Sequence, residues 1–207
     1  LIVEQAHERV YNFEIDKISV NKDFQLPVQL MLNVGNPENS FGSSLIPNSG
    51  VGLARLEFII SNYIKIHPLA LCAYPKLPED IKNKIYQIIG NHDSGEWYFI
   101  KRLARGISKI ASAFYPNDVI VRLSDFKSNE YKNLIGGSIY EPDEENPMIG
   151  WRGASRYYSK EYEKAFELEC QAIKYAIEEM KMTNIIVMIP FCRTPEECRM
   201  VIEKMNS

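Results

Sequence analysis

The chain has 207 residues, enough for one sizeable hydrophobic core or two small ones. A hydrophobic content of 45% and a charged content of 25% exclude disorder as the default, and a net charge of −3 argues against a general binder of nucleic acid or anionic membrane. No apolar run approaches the roughly 20 residues of a spanning helix, and Cys72, Cys170, Cys192 and Cys198 lack paired C-x-x-C spacing, the pattern of reduced cysteines in a cytosolic protein.

In chain order, residues 1–25 alternate apolar and polar positions around Val10–Ile15, which predicts one or two half-buried strands followed by a polar linker at Asn21-Lys22-Asp23. Val28–Val34 reads as a strand, and Asn36-Pro37 as the cap and first residue of a short helix. The turn at Pro47–Gly50 leads into a glycine-interrupted run, Val51–Ala54, which ends at Arg55. After Pro68 the pattern becomes helical. Pro78 opens a helix with Ile81, Ile85, Ile88 and Ile89 on one face, closed by Gly90. A longer helix carries Ile100, Leu103, Ile107, Ile110, Ala111 and Phe114 and stops at Pro116. Asp118–Ser124 is a β-branched run expected to be buried on both faces.

Residues 125–147 show no apolar periodicity and read as a long loop with an acidic run at Glu141–Glu145. A short strand is expected near Ile149, then a helix from about Lys160, a strand over Asn184–Ile189 and a final helix opened by the capping box Thr194-Pro195-Glu196-Glu197. Strand and helix alternate, which predicts an α/β fold with a parallel sheet of about five strand–helix units, near Leu30, Leu53, Ile120, Ile149 and Val187. A (β/α)8 TIM barrel needs eight units and about 250 residues, so this would be an incomplete barrel. Leu1-Ile2-Val3 and the helix ending at Ser207 both read as cut from a longer chain, with tag removal or processing as the alternative for the N-terminus.

Three arginines stand out, each after an apolar or glycine-rich run: Arg55, Arg122 and Arg152. In parallel α/β folds ligands sit at the carboxyl ends of strands, where Arg55 and Arg122 fall. An arginine there needs an anion or a carboxylate to offset its desolvation. A small, highly charged anion such as a phosphate ester would serve. For Arg122 a structural salt bridge to Asp125 or Glu57 would serve as well, and the residues leave both readings open. Arg156 and Arg193 read as solvated, and Asn33 as either a pocket residue or a turn former. His7, His67 and His92 have no metal-ligand spacing, and the acidic run reads as a solvated loop rather than a divalent-cation site. Gly50-x-Gly52 lacks the third glycine of a dinucleotide fingerprint.

With these residues assembled, a resemblance is apparent. Gly50-Val51-Gly52-Leu53-Ala54-Arg55-Leu56-Glu57-Phe58 closely resembles the second-strand motif of the phosphoenolpyruvate-utilising enzymes. Val121–Tyr131 and Tyr140–Gly153 resemble their third-strand motif and their loop and fourth strand, in the form found in the phosphoenolpyruvate synthase (pyruvate, water dikinase) family, and Met188-Ile189-Pro190-Phe191 resembles the fifth. The resemblance implies part of the pyruvate- and phosphoenolpyruvate-binding barrel of an enzyme that converts pyruvate, ATP and water to phosphoenolpyruvate, AMP and phosphate through a phosphohistidine. It implies substrate contacts from the residues matching Arg55 and Arg122, and help in holding the phosphate from Arg152. It also implies Mg2+ and an acid cysteine supplied by strands six to eight, so that no catalytic residue and no metal ligand is expected in this chain, and ATP bound through an N-terminal domain. Residues 1–25 would be the tail of the swivelling phosphohistidine domain and 26–207 the partial barrel, in a cytoplasmic, homo-oligomeric whole that binds no nucleic acid and no membrane. The 207 residues alone would be inactive. The alternative is a non-catalytic truncated paralogue that binds phosphoenolpyruvate or a protein partner.

Overall fold

Short β-branched runs alternate with amphipathic helices, and four of those runs assemble into one parallel sheet. The computed structural model describes residues 27–90 and 94–206; the strands expected within 1–25 lie outside them. The strands are β1 (Leu32–Val34), β2 (Val51–Arg55), β3 (Val119–Arg122) and β4 (Ile185–Met188), paired in the order β1-β2-β3-β4. All three pairings are parallel. The spatial order follows the sequence without a reversal, so this sheet has no switch point of the doubly wound kind.

Helix α1 (Ser40–Ser44) follows β1 after a 3-10 turn at Pro37–Asn39, where the Asn36 side chain accepts from the Glu38 N–H at 3.0 Å, as its cap signature predicts. After β2 come α2 (Leu56–Ile59), which runs on through a π-helical turn at Ile60–Ile64, then α3 (Pro68–Cys72), α4 (Glu79–Ile89) and α5 (Gly95–Phe114). β3 leads to α6 (Ser128–Lys132), α7 (Ala154–Tyr157) and α8 (Glu163–Glu178), and β4 to α9 (Pro195–Asn206). The capping box of α9 forms with a one-residue offset: Thr194 Oγ1 accepts from Glu197 N at 3.2 Å, and Glu197 Oε2 accepts from Arg193 N at 2.6 Å.

The core lies where α5 and α8 pack together and against the sheet. Leu103, Ile107, Ile110 and Phe114 meet Phe166, Ala172 and Ile173 there, all buried with Val51, Ala54, Val119 and Val121. Each of the larger side chains contributes about 1.5–3 kcal/mol by leaving water.

Two sequence expectations need correction. The expected strand near Ile149 is a turn, so the described residues hold four strands rather than five. Asn146 is the cause: its side chain accepts from Met148 N at 3.1 Å and its carbonyl from Ile149 N at 3.2 Å, so the backbone closes on itself instead of extending. Ile149 is left 80% exposed. β3 is not buried on both faces: Val119 and Val121 are buried, but Ile120 and Arg122 are only half-buried. The long stretch 125–147 is tightly held, with Ile135 bridging Ile66 through His67 N to Ile135 O at 3.0 Å and Ile135 N to Lys65 O at 3.1 Å.

Candidate functional site

Arg55 and Arg122 are register partners, side by side as the last residues of β2 and β3. Two like charges on adjacent strand ends repel unless something negative lies between or beneath them. The chain supplies it locally. Glu57, in the first turn of α2, accepts from Arg122 Nη2 at 2.6 Å and from Asp125 N at 2.8 Å through the same Oε1. Asp125, three residues past Arg122, takes the guanidinium of Arg152 in a two-pronged contact: Oδ1 from Nε at 3.0 Å and Oδ2 from Nη2 at 2.9 Å. The same Oδ2 lies 3.5 Å from Arg122 Nη1. Asp125 therefore ties two of the three arginines into one unit, and fork-to-fork geometry fixes the plane of Arg152.

Phe191, just past β4, places its ring 4.4 Å from the Arg152 guanidinium carbon. It does so from a backbone with φ of 46°, a region a bulky residue adopts only when its surroundings force it. Gly153 makes room opposite: at its φ of 63°, a Cβ would lie 2.7 Å from Phe191 Cβ. Arg55 differs. It is exposed, its guanidinium lies 5.9 Å from the Phe58 ring, and it forms no ion pair with a carboxylate among the described residues.

These groups line a cleft of about 790 Å³, with Arg55, Arg122, Arg152 and Lys127 against Glu57, Asp125 and Glu130 in its wall, one positive charge in excess. Arg122 Nε and Glu57 Oε2 are buried in that wall without a hydrogen-bond partner among the described residues. The cleft thus presents an exposed arginine, Arg55, with no carboxylate partner among the described residues, and a surplus of positive charge. All three arginines singled out in the sequence come together here; Arg122 has the carboxylate partners of its salt-bridge reading, Glu57 and Asp125, and also lines the cleft. Asn33 is exposed on β1 and is absent from the cleft wall. Arg193 is exposed, with Glu197 3.5 Å away, as expected.

Arg156 is the clear correction. Expected to be solvated, it is fully buried, its guanidinium 4.0 Å from the Trp151 ring, 4.6 Å from Tyr131 and 5.0 Å from Tyr162. It donates to both oxygens of Glu141, at 2.6 and 2.8 Å. His67 completes the group. Its Nδ1 accepts from Leu69 N at 3.2 Å, so Nε2 carries the proton and donates to Glu141 Oε1 at 3.0 Å. Burial holds His67 below the usual imidazole range and keeps it neutral, although the adjoining Glu141 pulls the other way. Burial would raise the carboxyl of Glu141, but the bonds from His67 and Arg156 outweigh it and hold it low. The acidic run is therefore a loop solvated only in part. Glu141 is core, and Glu144 accepts from Trp151 N at 2.9 Å and from the Ser128 hydroxyl, leaving Asp143 exposed beside Lys132. No signal within seven residues of Arg156 marks this pairing; Glu141 lies fifteen positions away and His67 on another element.

Among the described residues no group of three or more His, Cys, Asp or Glu side chains could hold a metal ion. Asp125 does not fit that role, because both of its oxygens are already taken by arginine. No helix among the described residues is long and apolar enough to cross a membrane.

Fold and cleft together define a parallel α/β protein with an arginine-lined pocket at the carboxyl ends of its strands. Residues 14–207 match the family described as PEP-utilising enzyme, PEP-binding domain, and the chain belongs to that family. It is 52% identical over 202 residues to a phosphoenolpyruvate synthase of Synechocystis sp., covering 97% of this chain and 25% of that protein. It is 51% identical over 191 residues to one of Pseudomonas aeruginosa, covering 92% and 24%, and 46% identical over 200 residues to one of Escherichia coli, covering 97% and 25%. The chain spans about a quarter of the length of these relatives.

Proposed function

We propose that the cleft binds phosphoenolpyruvate and pyruvate as part of a phosphoenolpyruvate synthase. The observation that carries this reading is the convergence of Arg55, Arg122 and Arg152 on one cleft. Arg55 and Arg122 contact the substrate and Arg152 helps hold its phosphate. The guanidinium forks meet phosphoryl oxygens in pairs, and Asp125 and Glu57 hold Arg122 and Arg152 in place before the ligand arrives, so little reorganisation is left to the reaction. Such preset donors stabilise charge as it redistributes during phosphoryl transfer.

The sequential order of four parallel strands supports an incomplete (β/α)8 barrel. On this reading residues 1–25 are the tail of a preceding phosphohistidine domain, and the whole protein is a cytoplasmic, homo-oligomeric, ATP- and Mg2+-dependent dikinase. Its Mg2+ would be held by side chains other than those described, and the 207 residues alone would not turn over. Equilibrium titration of the intact protein with phosphoenolpyruvate tests the cleft. Arg55→Ala removes an exposed arginine that forms no ion pair with a carboxylate among the described residues, so the fold should persist while affinity falls about tenfold or more, the worth of one charge-assisted contact. Unchanged affinity would remove Arg55 from the site.

A further inference from the structure

Behind the cleft wall lies a carboxylate that the binding reading leaves unused. Glu169 of α8 is 1% exposed and has no cationic partner among the described ion pairs. Its Oε1 accepts from Ser124 N at 2.6 Å and its Oε2 from Ser124 Oγ at 2.6 Å. On the other side of the same residue, Tyr157 OH donates to Ser124 O at 2.6 Å. Ser124 is thus gripped at its N–H, hydroxyl and carbonyl by side chains of α7 and α8. The next residue is Asp125, the carboxylate that orients Arg152 and reaches Arg122.

The hydroxyl protons have a direction. With Glu169 ionised, Ser124 Oγ must donate to it, so Tyr131 OH, 2.8 Å away, donates to Ser124, and Tyr162 OH donates to Tyr131. Every hydroxyl proton in this chain then has an acceptor. A proton on Oε2 reverses the first link: Ser124 accepts from Glu169 and turns its own proton to Tyr131, whose proton loses the acceptor it had. Such a network is worth most when every member is satisfied and loses much when one is not.

We propose that Glu169 is a positioning residue for the arginine cleft: ionised, it locks Ser124 and through it Asp125, Arg122 and Arg152, and on protonation it loosens that lock. The inference rests on the proposed binding of phosphoenolpyruvate in the cleft. Burial pushes the Glu169 carboxyl up to about 7, against the pull of its two bonds from Ser124. The titratable and charged groups around it are the phenols of Tyr131, Tyr157 and Tyr162, the thiol of Cys170 and the carboxylate of Glu57, with the Arg156 guanidinium beyond the tyrosines. Burial pushes the three phenols far up and the Cys170 thiol to about 12, so Glu169 is the member of this group that titrates near neutrality.

The experiment is a phosphoenolpyruvate titration of the intact protein between about pH 6 and pH 8.5, as wild type, Glu169→Gln and Ser124→Ala. The ratio of two affinities cancels the titration of the ligand's own phosphate near pH 6. Glu169→Gln should bind about tenfold more weakly than wild type at the alkaline end and within about twofold at the acid end, where wild-type Glu169 is itself protonated. Ser124→Ala, which removes one bond to the ionised form, should move the wild-type inflection to higher pH. A purely structural Glu169 would give a ratio that does not change with pH, and that result overturns the proposal. If Glu169→Gln does not fold, Ser124→Ala decides, and an unmoved inflection overturns it. If wild type binds no phosphoenolpyruvate, the cleft reading fails on its own, and hydrogen exchange of residues 119–126 in the ligand-free protein judges this proposal. Corrected for intrinsic rate, the loss of protection in Glu169→Gln should be larger at alkaline than at neutral pH; an equal loss overturns it.

Discussion

Two arginine–carboxylate assemblies lie within the same stretch of chain, one buried and saturated, the other lining a cleft. In the core, Arg156 spends its donors on Glu141 and the Trp151 carbonyl and its faces on three aromatic rings, while His67 fills the remaining demand of Glu141. Nothing is left over to meet a ligand. In the cleft, Asp125 and Glu57 secure Arg122 and Arg152 but leave Arg122 Nε without a hydrogen bond, and Arg55 has no carboxylate partner among the described residues. A saturated assembly holds the fold; an under-saturated one lining a cavity is where the proposed anion would bind. The long segment after β3 needs both, because its near end carries Asp125 and its far end carries Arg152 and Arg156.

The comparison can be broken from either side. The largest effect on stability should come from Arg156→Ala, which leaves Glu141 ionised in the core with His67 alone; about 3–5 kcal/mol should be lost in denaturant unfolding of the intact protein. Lysine should not rescue it, having neither the fork for Glu141 nor the plane for Trp151. Arg122→Ala should reverse the pattern. Its turnover in the intact protein should fall by more than about 100-fold, on the order of 3 kcal/mol, with a much smaller change in stability than Arg156→Ala. Equal stability losses in the two variants would mean that the cleft assembly is a fastening too.

The smallest effect concerns pH. His67 is lowered below its unfolded value, so the unfolded chain binds the extra proton and the stability that His67 contributes is present above about 6.5 and lost as pH falls toward its folded value. Glu141 is also held low, so its contribution is present above its unfolded value and lost on further acidification. Glu169 has the opposite sign: raised to about 7, it favours folding below its unfolded value and that contribution fades as pH rises through 7. A direct comparison of wild type with His67→Gln isolates the first term. The variant should cost about 1–2 kcal/mol at pH 7.5, and the cost should shrink as the pH is lowered below 6.5. A gap that widens on acidification would mean that His67 is charged in the fold.

Local signals carried well from sequence to structure. Asn36-Pro37, Gly90, Pro116 and Thr194 mark helix ends because caps and breakers act within one turn of chain. The apolar period of α5 and the β-branched runs of β3 and β4 placed the core elements for the same reason. Ile149 was misleading because an apolar triplet is ambiguous and the deciding contact is the Asn146 side chain folding back on Met148 N. Arg156 and Glu141 read as polar surface because burial of a charge depends on a partner distant in sequence. The cleft arginines were legible because each ends a strand or sits in a glycine-flanked run, whereas the ring of Phe191 over Arg152 and the bonds from Ser124 to Glu169 have no local sequence signal.

The most direct measurement is a crystal structure of the intact protein with phosphoenolpyruvate bound. Phosphoryl oxygens should lie about 2.7–2.9 Å from the guanidinium nitrogens of Arg55 and Arg122, with Arg152 still paired to Asp125 and turned toward the phosphate. A phosphate bound away from this cleft, or Arg55 pointing into solvent with the ligand in place, would contradict the proposed binding.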